Sequence, residues 1–428
     1  MSGKKLTVAF AGLGSRGNAF AEACEVLKDK IEIVACADID AGKLQRFGDK
    51  HGVPEEMRFN SAEEMLERER LAEVMFICTM DKQHFGHAIP ALNKDYHLVL
   101  EKPASTDPRE CVEIARVANE RGREVVVCHV LRYTPFYRKV KEIMDSGVLG
   151  KIYSIEATES VIYWHQAHSF VRGNWRNSEE TSPMILQKSC HDMDILLWLT
   201  GKHCQKVSSF GSLSHFKSEC APEGAPEQCS EACPAYGNCP YSIERYLHLK
   251  REGCHSWPLD VVSPETDYEK YKADLMASQY SRCVYHCDNN VVDHQVVNLL
   301  LDDDLTITFS MCAFTSDADG RTLHVMGTHG DLYAKSSGEI KLTRFNGGMQ
   351  KTEFVECHAE FDSFGHGGGD YGLVLDLIGL FDGSGAAAVT SINDSVESHV
   401  VALAAEKSRV LGGELVRIED YVKSLDVK

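Results

Sequence analysis

The sequence predicts an α/β protein built of two domains. The chain has 428 residues, more than one hydrophobic core usually serves. Residues 1–130 alternate short apolar runs with helical patterns, as in a parallel sheet covered by helices on both faces. From Val291 onward the pattern changes to strands joined by short turns. We therefore expect an N-terminal domain over residues 1–130 and a second domain over residues 131–428.

Composition and charge exclude several classes of protein. Hydrophobic residues make up 43% of the chain and charged residues 25%, as in globular proteins. The net charge is −19 and no basic run is present, so nucleic acid is not an expected partner. No apolar run approaches the roughly 20 residues of a membrane span, and the N-terminus lacks the apolar core of a signal peptide. We expect a cytoplasmic protein that does not associate with membranes.

A glycine-rich turn lies between the first predicted strand and the first predicted helix. It has the pattern GxGxxG and comprises Gly12, Gly14, Ser15, Arg16 and Gly17. In a dinucleotide-binding turn the glycines permit a tight turn, close approach to a pyrophosphate and close helix packing. The helix N-terminus then offers free N–H groups to the phosphates. The pattern favours a Rossmann nucleotide site over a purely structural turn.

Polar residues end three further predicted strands. Asp38 comes about 20 residues after the glycine turn, where a carboxylate commonly holds an adenosine ribose, and no arginine follows it closely. Thr79 and His84 follow the next strand, and Glu101 and Lys102 close the one after. The carboxyl ends of parallel strands face the ligand, so we expect all five residues at a cofactor site that prefers NAD to NADP. A helix cap at Thr79 and a loop histidine at His84 are the alternative.

These motifs together resemble one family. GLGSRG, the aspartate after the second strand, ICTMDKQH and above all LEKP are similar to the Gfo/Idh/MocA oxidoreductases. The resemblance is clear from residue 5 to about residue 200 and looser beyond. It implies that a Rossmann domain binds NAD, and that a C-terminal α/β domain with an open, mainly antiparallel sheet covers the nicotinamide and holds a sugar or cyclitol.

A strongly apolar helix predicted over residues 182–200 forms a second functional centre. Gln187, Lys188, His191 and Asp194 share one face of it. Because burying polar groups is costly, we expect His191 to act as an acid or base whose tautomer is fixed by Asp194. The alternative is a core histidine with a local hydrogen bond to that aspartate.

The resemblance extends to this helix, because SCHDMDILLWL is similar to the segment that carries the family's catalytic histidine, here His191. Many members have an aspartate four residues earlier, where this chain has Gln187. The usual aspartate–histidine pair is therefore absent, and we expect Lys188 to stand in for it.

Further candidates for substrate binding lie around this helix. A loop over residues 162–182 mixes aromatic and arginine side chains at a density that suits stacking on a sugar or nicotinamide, although ordinary loop packing is the alternative. Residue 132 joins the domains. Residue 294 interrupts an apolar strand, and its position is equally consistent with facing the substrate and with lying on a solvent-exposed face of the sheet. The expected substrate-binding residues are Lys102, Arg132, Tyr163, Trp175, Arg176, Gln187, Lys188, His191 and His294.

Residues 204–290 have the composition of an insertion rich in cysteine and proline. Cys229, Cys233 and Cys239 lie in a short proline-rich loop that would gain stability from a metal. Zinc or an iron–sulfur cluster would fit, with Cys283 as the preferred fourth ligand and Cys220 or Cys287 as alternatives. Free thiols remain the competing interpretation.

The combined prediction is an NAD-dependent oxidoreductase that moves hydride between the nicotinamide and a ring carbon of a sugar, cyclitol or glycoside. Lys102 and His191 would handle the hydroxyl proton. The departure at Gln187 and the elaborate insertion keep a second enzyme class open, a redox-neutral NAD-dependent glycosidase that oxidises its substrate transiently. A binding protein that senses nucleotides is a third possibility. The open sheet predicts a homo-oligomer, a dimer or a tetramer.

Overall fold

The structure is a computed structural model, which describes residues 5–316, 320–357, 365–383 and 385–425. The strands are β1 (Leu6–Ala11), β2 (Ile31–Ala37), β3 (Arg58–Phe59), β4 (Val74–Ile77), β5 (His97–Leu100), β6 (Val125–Val127), β7 (Ile152–Ser160), β8 (Cys204–Ser212), β9 (His294–Leu301), β10 (Thr306–Cys312), β11 (Arg321–Gly327), β12 (Gly330–Lys335), β13 (Glu339–Asn346), β14 (Met349–Glu356) and β15 (Val416–Arg417). The helices are α1 (Ser15–Val26), α2 (Ala41–His51), α3 (Ala62–Glu67), α4 (His84–Asn93), α5 (Pro108–Arg121), α6 (Pro135–Asp145), α7 (Tyr163–His165), α8 (Met184–Gln187), α9 (Cys190–Thr200), α10 (Glu244–Arg251), α11 (Leu259–Val262), α12 (Tyr268–Ala277), α13 (Gly369–Phe381), α14 (Ile392–Val410) and α15 (Ile418–Ser424).

The first sheet has six parallel strands in the order β3-β2-β1-β4-β5-β6. Its strands are apolar and largely buried, because helices cover both faces. Helices α1, α2 and α13 pack on one face, and α3, α4 and α5 pack on the other. The strand order reverses between β1 and β4, which leaves a ligand crevice at their carboxyl ends. The predicted Rossmann domain is confirmed.

The second sheet has nine strands in the order β14-β13-β12-β11-β7-β10-β9-β8-β15, and only β7 and β10 among its neighbours run parallel. Alternate side chains face α6, α9 and α14 and form one apolar core. The opposite face is open, and His294, Thr308 and Tyr333 lie on it with exposed side chains. The predicted open, mainly antiparallel sheet is therefore confirmed, while the oligomer expected to cover it stays a prediction.

The chain crosses back to the first domain after the second sheet. Helix α13 places Leu373, Val374 and Leu377 against the core formed by α1 and the first sheet. Immediately after, the N–H of Val127 at the end of β6 donates to the carbonyl of Thr390 at 2.8 Å. Late residues of the chain thus complete one face of the N-terminal domain.

The insertion begins later than residue 204, where the composition predicted its start. Residues 204–212 form β8, which pairs with β9, so the segment that interrupts the sheet lies between those two strands. It contains α10, α11 and α12 and a small core of its own. Its proline-rich part, residues 221–243, has neither α-helix nor β-strand, as predicted. No helix among the described residues combines the length and apolar character that crossing a membrane requires.

A buried ion pair links the segment after the first sheet to helix α9. Arg132 Nε and Nη2 donate to the two carboxylate oxygens of Asp194 at 2.8 and 2.6 Å. Arg132 Nη1 also donates to the carbonyl of Val389 at 3.1 Å. Burial raises the pKa of Asp194, and Arg132 opposes that rise. The pair therefore depends on its fixed geometry.

Three buried histidines surround this ion pair. The ring of His129 lies 5.6 Å from that of His399 and 6.0 Å from that of His191. His399 Nε2 accepts the N–H of Ala104 at 2.8 Å, and its Nδ1 lies 2.7 Å from the carbonyl of Ser395, which defines a neutral tautomer. Burial lowers the pKa of all three imidazoles, and nearby Lys102 acts in the same direction.

We predict that Arg132→Leu lowers the free energy of unfolding by about 3–5 kcal/mol, because it leaves the Asp194 carboxylate buried without a partner. Chemical denaturation followed by circular dichroism measures the loss. Arg138→Leu is the matched control, because its partner Asp376 is more exposed, and it should cost less than about 1 kcal/mol. Equally small losses of unfolding free energy in the two variants would contradict the large contribution that we assign to the buried pair.

We also predict that stability falls as the pH drops from 7 to 5. The folded-state pKa of His129, His191 and His399 lies below the unfolded value near 6.5, so below that pH the unfolded chain binds more protons. Each histidine then removes up to about 1.4 kcal/mol of stability per pH unit. Denaturation midpoints at several pH values test this, and His129→Gln should flatten the dependence. If the stability of His129→Gln depended on pH as steeply as that of the unaltered protein, the prediction would be wrong.

Candidate active site

The glycine turn has the shape that a pyrophosphate needs. Gly12 has a φ of +88°, and a Cβ there would lie 2.6 Å from the backbone of Cys78. A Cβ on Gly17 would lie 2.2 Å from the carbonyl oxygen of Gly12, whereas a Cβ on Gly14 would meet only open space. Helix α1 begins at Ser15 without a side-chain cap or an acidic residue in its first turn. Its first N–H groups are therefore suited to an anion.

Asp38 lies directly beside this turn. Its Oδ2 accepts the N–H of Leu13 at 2.7 Å, and its Oδ1 accepts the N–H of Asp40 at 2.8 Å. The two bonds fix the carboxylate at the end of β2, next to the glycine turn. This is the placement that ribose recognition requires in a Rossmann domain.

Arg16 joins three separate segments at the crevice. Its Nε donates to Glu101 at 2.6 Å, and its two terminal nitrogens donate to Asp370 at 2.9 and 2.7 Å. Although burial opposes the charge, the two carboxylates raise the pKa of Arg16, and Arg16 in turn holds the pKa of Asp370 below its usual range. Glu101 also accepts the N–H of Lys102 at 2.9 Å. Arg16 and Glu101 thus position the lysine that follows.

The structure places Thr79 and His84 at the strand ends, but their polar groups bind protein. Thr79 Oγ1 lies 3.0 Å from Nδ1 of His87. The two ring nitrogens of His84 lie 2.7 Å from the carbonyl of Pro103 and 3.0 Å from that of Thr79. His84 therefore connects the loops that follow β4 and β5.

The helix predicted over residues 182–200 is two helices. Helix α8 ends at Gln187 and α9 begins at Cys190, so the four polar residues do not share one continuous face. The break leaves the carbonyl of Gln187 free of helical bonding, and Lys102 Nζ donates to it at 2.6 Å. The side-chain Oε1 of Gln187 is buried without a hydrogen-bond partner. A lysine of the first domain thus contacts the second domain at this break.

His191 lies at the start of α9, with its ring 6.0 Å from that of His366. Its Nδ1 is buried without a hydrogen-bond partner. Burial, reinforced by Lys102 and Arg321, lowers the pKa of His191 well below the ordinary value. The imidazole is therefore neutral at neutral pH and able to accept a proton.

The expected hydrogen bond between Asp194 and His191 is absent. Both carboxylate oxygens of Asp194 accept from Arg132, which is therefore a structural partner buried between the domains. That prediction was wrong because the carboxylate found a stronger, bidentate donor from a distant part of the chain. Asp194 still orients α9, and through it His191.

Lys188 belongs to a charged network that the sequence did not suggest. Its Nζ lies 3.2 Å from Oε1 of Glu159. Oε2 of the same carboxylate lies 2.8 Å from Nε of Arg321. Arg321 Nε also donates to Oδ1 of Asp192 at 2.7 Å. Burial raises the pKa of Asp192 to about 6, despite Arg321. Burial acts to raise the pKa of Glu159, but Arg321 and Lys188 outweigh it and lower that pKa. Desolvation lowers the pKa of Lys188 itself.

The remaining predicted substrate residues are dispersed. Trp175 Nε1 donates to Asp81 at 3.3 Å across the domain boundary, and Arg176 pairs with Asp288 at 2.8 Å. Tyr163 begins a short helical stretch that continues as a buried π-helical turn over Gln166–Arg172. The side chain of His294 is 47% exposed on the open face of the second sheet, opposite the core face that α9 covers. The structure therefore does not bring His294 to His191.

Four cysteines of the insertion lie around one cavity, and they are the four predicted as metal ligands: Cys229, Cys233, Cys239 and Cys283. None of them is in a disulfide. Within the described parts of the chain, no three His, Cys, Asp or Glu side chains are close enough to hold a metal ion. The predicted zinc or iron–sulfur site is therefore not supported.

Comparisons with known proteins agree with this architecture. Residues 6–129 match the model of an oxidoreductase family with an NAD-binding Rossmann fold, and residues 141–354 match that family's C-terminal alpha/beta domain. The chain is 22% identical over 388 residues to a putative oxidoreductase YteT of Bacillus subtilis, covering 86% of this chain and 88% of that protein. It is 24% identical over 206 residues to an inositol 2-dehydrogenase of Salmonella typhimurium, covering 48% and 57% respectively.

A solved structure shows the same fold over nearly the whole chain. It is a WlbA dehydrogenase from Bordetella pertussis in complex with NADH and UDP-GlcNAcA, with a TM-score of 0.67 and 15% identity. The alignment covers 97% of this chain and 99% of that one. Together with the glycine turn, Asp38 and the two matched domains, these similarities show that the chain is an NAD-binding oxidoreductase of the Gfo/Idh/MocA family.

Proposed function

We propose that the protein is an NAD-dependent dehydrogenase that oxidises a hydroxyl-bearing ring carbon of a sugar, cyclitol or glycoside. One observation carries this proposal. Lys102, at the carboxyl end of β5, donates to the carbonyl of Gln187, which places it beside the start of α9 and His191. A cation from the cofactor domain and a neutral imidazole from the covering domain thus meet at the crevice.

The roles of the two side chains follow from their charge states. NAD, when bound at the glycine turn, supplies the hydride acceptor. Oxidation of a secondary alcohol also requires a proton to leave the hydroxyl oxygen, and a neutral His191 can accept it. Lys102 then hydrogen-bonds the same oxygen and stabilises its developing negative charge. Asp194 and Glu101 act as positioning residues for these two groups.

The named relatives support the substrate class. The Salmonella protein is named for inositol, and the Bordetella structure contains a nucleotide sugar. Both compounds present secondary hydroxyl groups on a six-membered ring. The mixed charges of Lys188, Glu159, Arg321 and Asp192 provide donors and acceptors near the proposed site, as several hydroxyl groups would need.

We predict that Lys102→Met and His191→Ala each lower turnover about 10²–10⁴-fold while NAD still binds. Turnover is measured from the absorbance of NADH across a panel of sugars and cyclitols, and binding from quenching of protein fluorescence by NAD. Lys341→Met, on an exposed position of β13, is the matched control and should be fully active. Unchanged turnover in both site variants, with circular dichroism like that of the original protein, would refute the assignment.

The same assay separates the dehydrogenase from the redox-neutral glycosidase. Aryl glycosides are added to the panel, and released sugar is measured beside NADH. A dehydrogenase yields one NADH per oxidised substrate. Release of sugar without accumulation of NADH would replace the dehydrogenase proposal with the glycosidase.

We predict that the protein binds NAD at least about tenfold more tightly than NADP, a difference of about 1.4 kcal/mol. Asp38 is fixed beside the glycine turn, where its charge would repel a 2′-phosphate. Calorimetric titration with both coenzymes gives the two dissociation constants. Asp38→Ser should narrow the difference in affinity between NAD and NADP. Equal affinities for the two coenzymes in the unaltered protein would show that the carboxylate does not select the coenzyme.

A further inference from the structure

His191, the proposed proton acceptor, has little direct access to solvent. The residue is 5% exposed, and its Nδ1 is buried without a hydrogen-bond partner among the described residues. A proton taken from a substrate hydroxyl would therefore form a buried imidazolium near the charge of Lys102. Burial, and after it that lysine, lower the pKa of His191, so such an imidazolium gives up its proton readily. The question is which group receives it.

Two histidines border His191 at the same distance, and their surroundings differ. The rings of His129 and His366 each lie 6.0 Å from the ring of His191. His129 is fully buried, and its other neighbour is the ring of His399, whose two nitrogens are engaged by the backbone. The side chain of His366 is 38% exposed. His366 is therefore the one of these two neighbours that can exchange a proton with solvent.

The hydrogen bond of His366 prepares its ring to accept a proton. Its Nδ1 lies 3.2 Å from Oδ2 of Asp370, a carboxylate that also accepts from both terminal nitrogens of Arg16. Burial acts to raise the pKa of Asp370, but Arg16 and His366 outweigh it and keep the carboxylate ionised. An ionised carboxylate only accepts, so Nδ1 carries the hydrogen and Nε2 of the neutral ring is the acceptor. A proton that arrives there forms an imidazolium beside a negative charge.

The backbone that carries His366 is held in an unusual conformation. Residues 365–368 all have a positive φ, with values of +81°, +47°, +61° and +81°. His366 is the one residue of these four that is not glycine, and a positive φ is uncommon outside glycine. A Cβ at Gly365 would lie 2.9 Å from Oδ2 of Asp370, so the segment closes tightly on the carboxylate. Strain of this kind is concentrated at functional sites.

We propose that His366 relays the proton of the oxidised hydroxyl from His191 to solvent, an inference that rests on the proposed dehydrogenase function. The ring carbon loses a hydride to the cofactor, and the hydroxyl oxygen loses its proton to His191, which leaves a carbonyl group. His191 then releases a proton to Nε2 of His366, directly or through one water molecule. The exposed ring passes it to solvent, and both imidazoles are neutral again. Asp370 is the positioning residue of this relay.

The experiment measures turnover of the full chain carrying His366→Asn, with NAD and a substrate from the panel. Asparagine tolerates a positive φ, so the segment should keep its backbone, and His366→Gln serves as a second variant. We expect steady-state turnover to fall about 10–100-fold, the low end of what a proton-transfer group contributes, with KM and NAD binding unchanged. The first NADH per chain should still form rapidly, because His191 can accept one proton. Imidazole in the buffer should restore turnover, since the position is open to solvent.

His324→Asn is the matched control. Nε2 of His324 lies 3.1 Å from Oδ2 of Asp331, and its side chain is partly exposed, as in His366. His324 pairs with Tyr333 on the open face of the second sheet, opposite the face that α9 covers. The control should turn over like the unaltered protein, and imidazole should not change its rate.

Two results would overturn the relay alone. One is turnover of the His366 variants within about twofold of the unaltered protein, a difference too small for a lost proton-transfer group. The other is a loss of turnover that also slows the first NADH and that imidazole does not restore, which a merely structural role predicts. In both cases the unaltered chain still forms NADH, so the dehydrogenase proposal stands. If the unaltered chain forms no NADH from any compound of the panel, the dehydrogenase proposal fails and the relay fails with it.

Discussion

The ion pair between Arg132 and Asp194 is the constraint on which the site depends. Both charges are buried, so the pair is stable only while its two-pronged geometry is kept. Asp194 lies three residues after His191, on the same side of α9. The pair therefore fixes the rotation of α9 about its axis. That rotation in turn decides whether the imidazole of His191 faces Lys102 or the apolar core.

The helix break before α9 supplies the second half of this geometry. A continuous helix would have used the carbonyl of Gln187 for its own bonding. Because α8 ends at Gln187, that carbonyl is available to Lys102, and this hydrogen bond is one of the contacts between the cofactor domain and the covering domain. Buried histidines around this contact remain neutral, which limits the number of charges that the interface must compensate.

Local patterns predicted the strand, turn and helix around the glycine motif well. The glycine turn and Asp38 follow directly from the order of residues along one strand, one turn and one helix, so their positions could be inferred from the sequence. The break at Lys188 could not, since the apolar pattern continues on both sides of it. The partner of Asp194 lies 62 residues away, beyond the reach of helical periodicity. Glu159 and Arg321 meet only because β7 pairs with β11.

The return of the chain to the first domain affects how the protein can be made. Leu373, Val374 and Leu377 of α13 complete the face of the N-terminal domain that α1 and α2 cover in part. During synthesis, the nucleotide-binding half therefore leaves the ribosome with an incomplete core and waits for more than 200 further residues before it can close. Its folding is thus tied to translation of the whole polypeptide, and a nascent chain that stalled early would carry an exposed apolar surface for chaperones to shield.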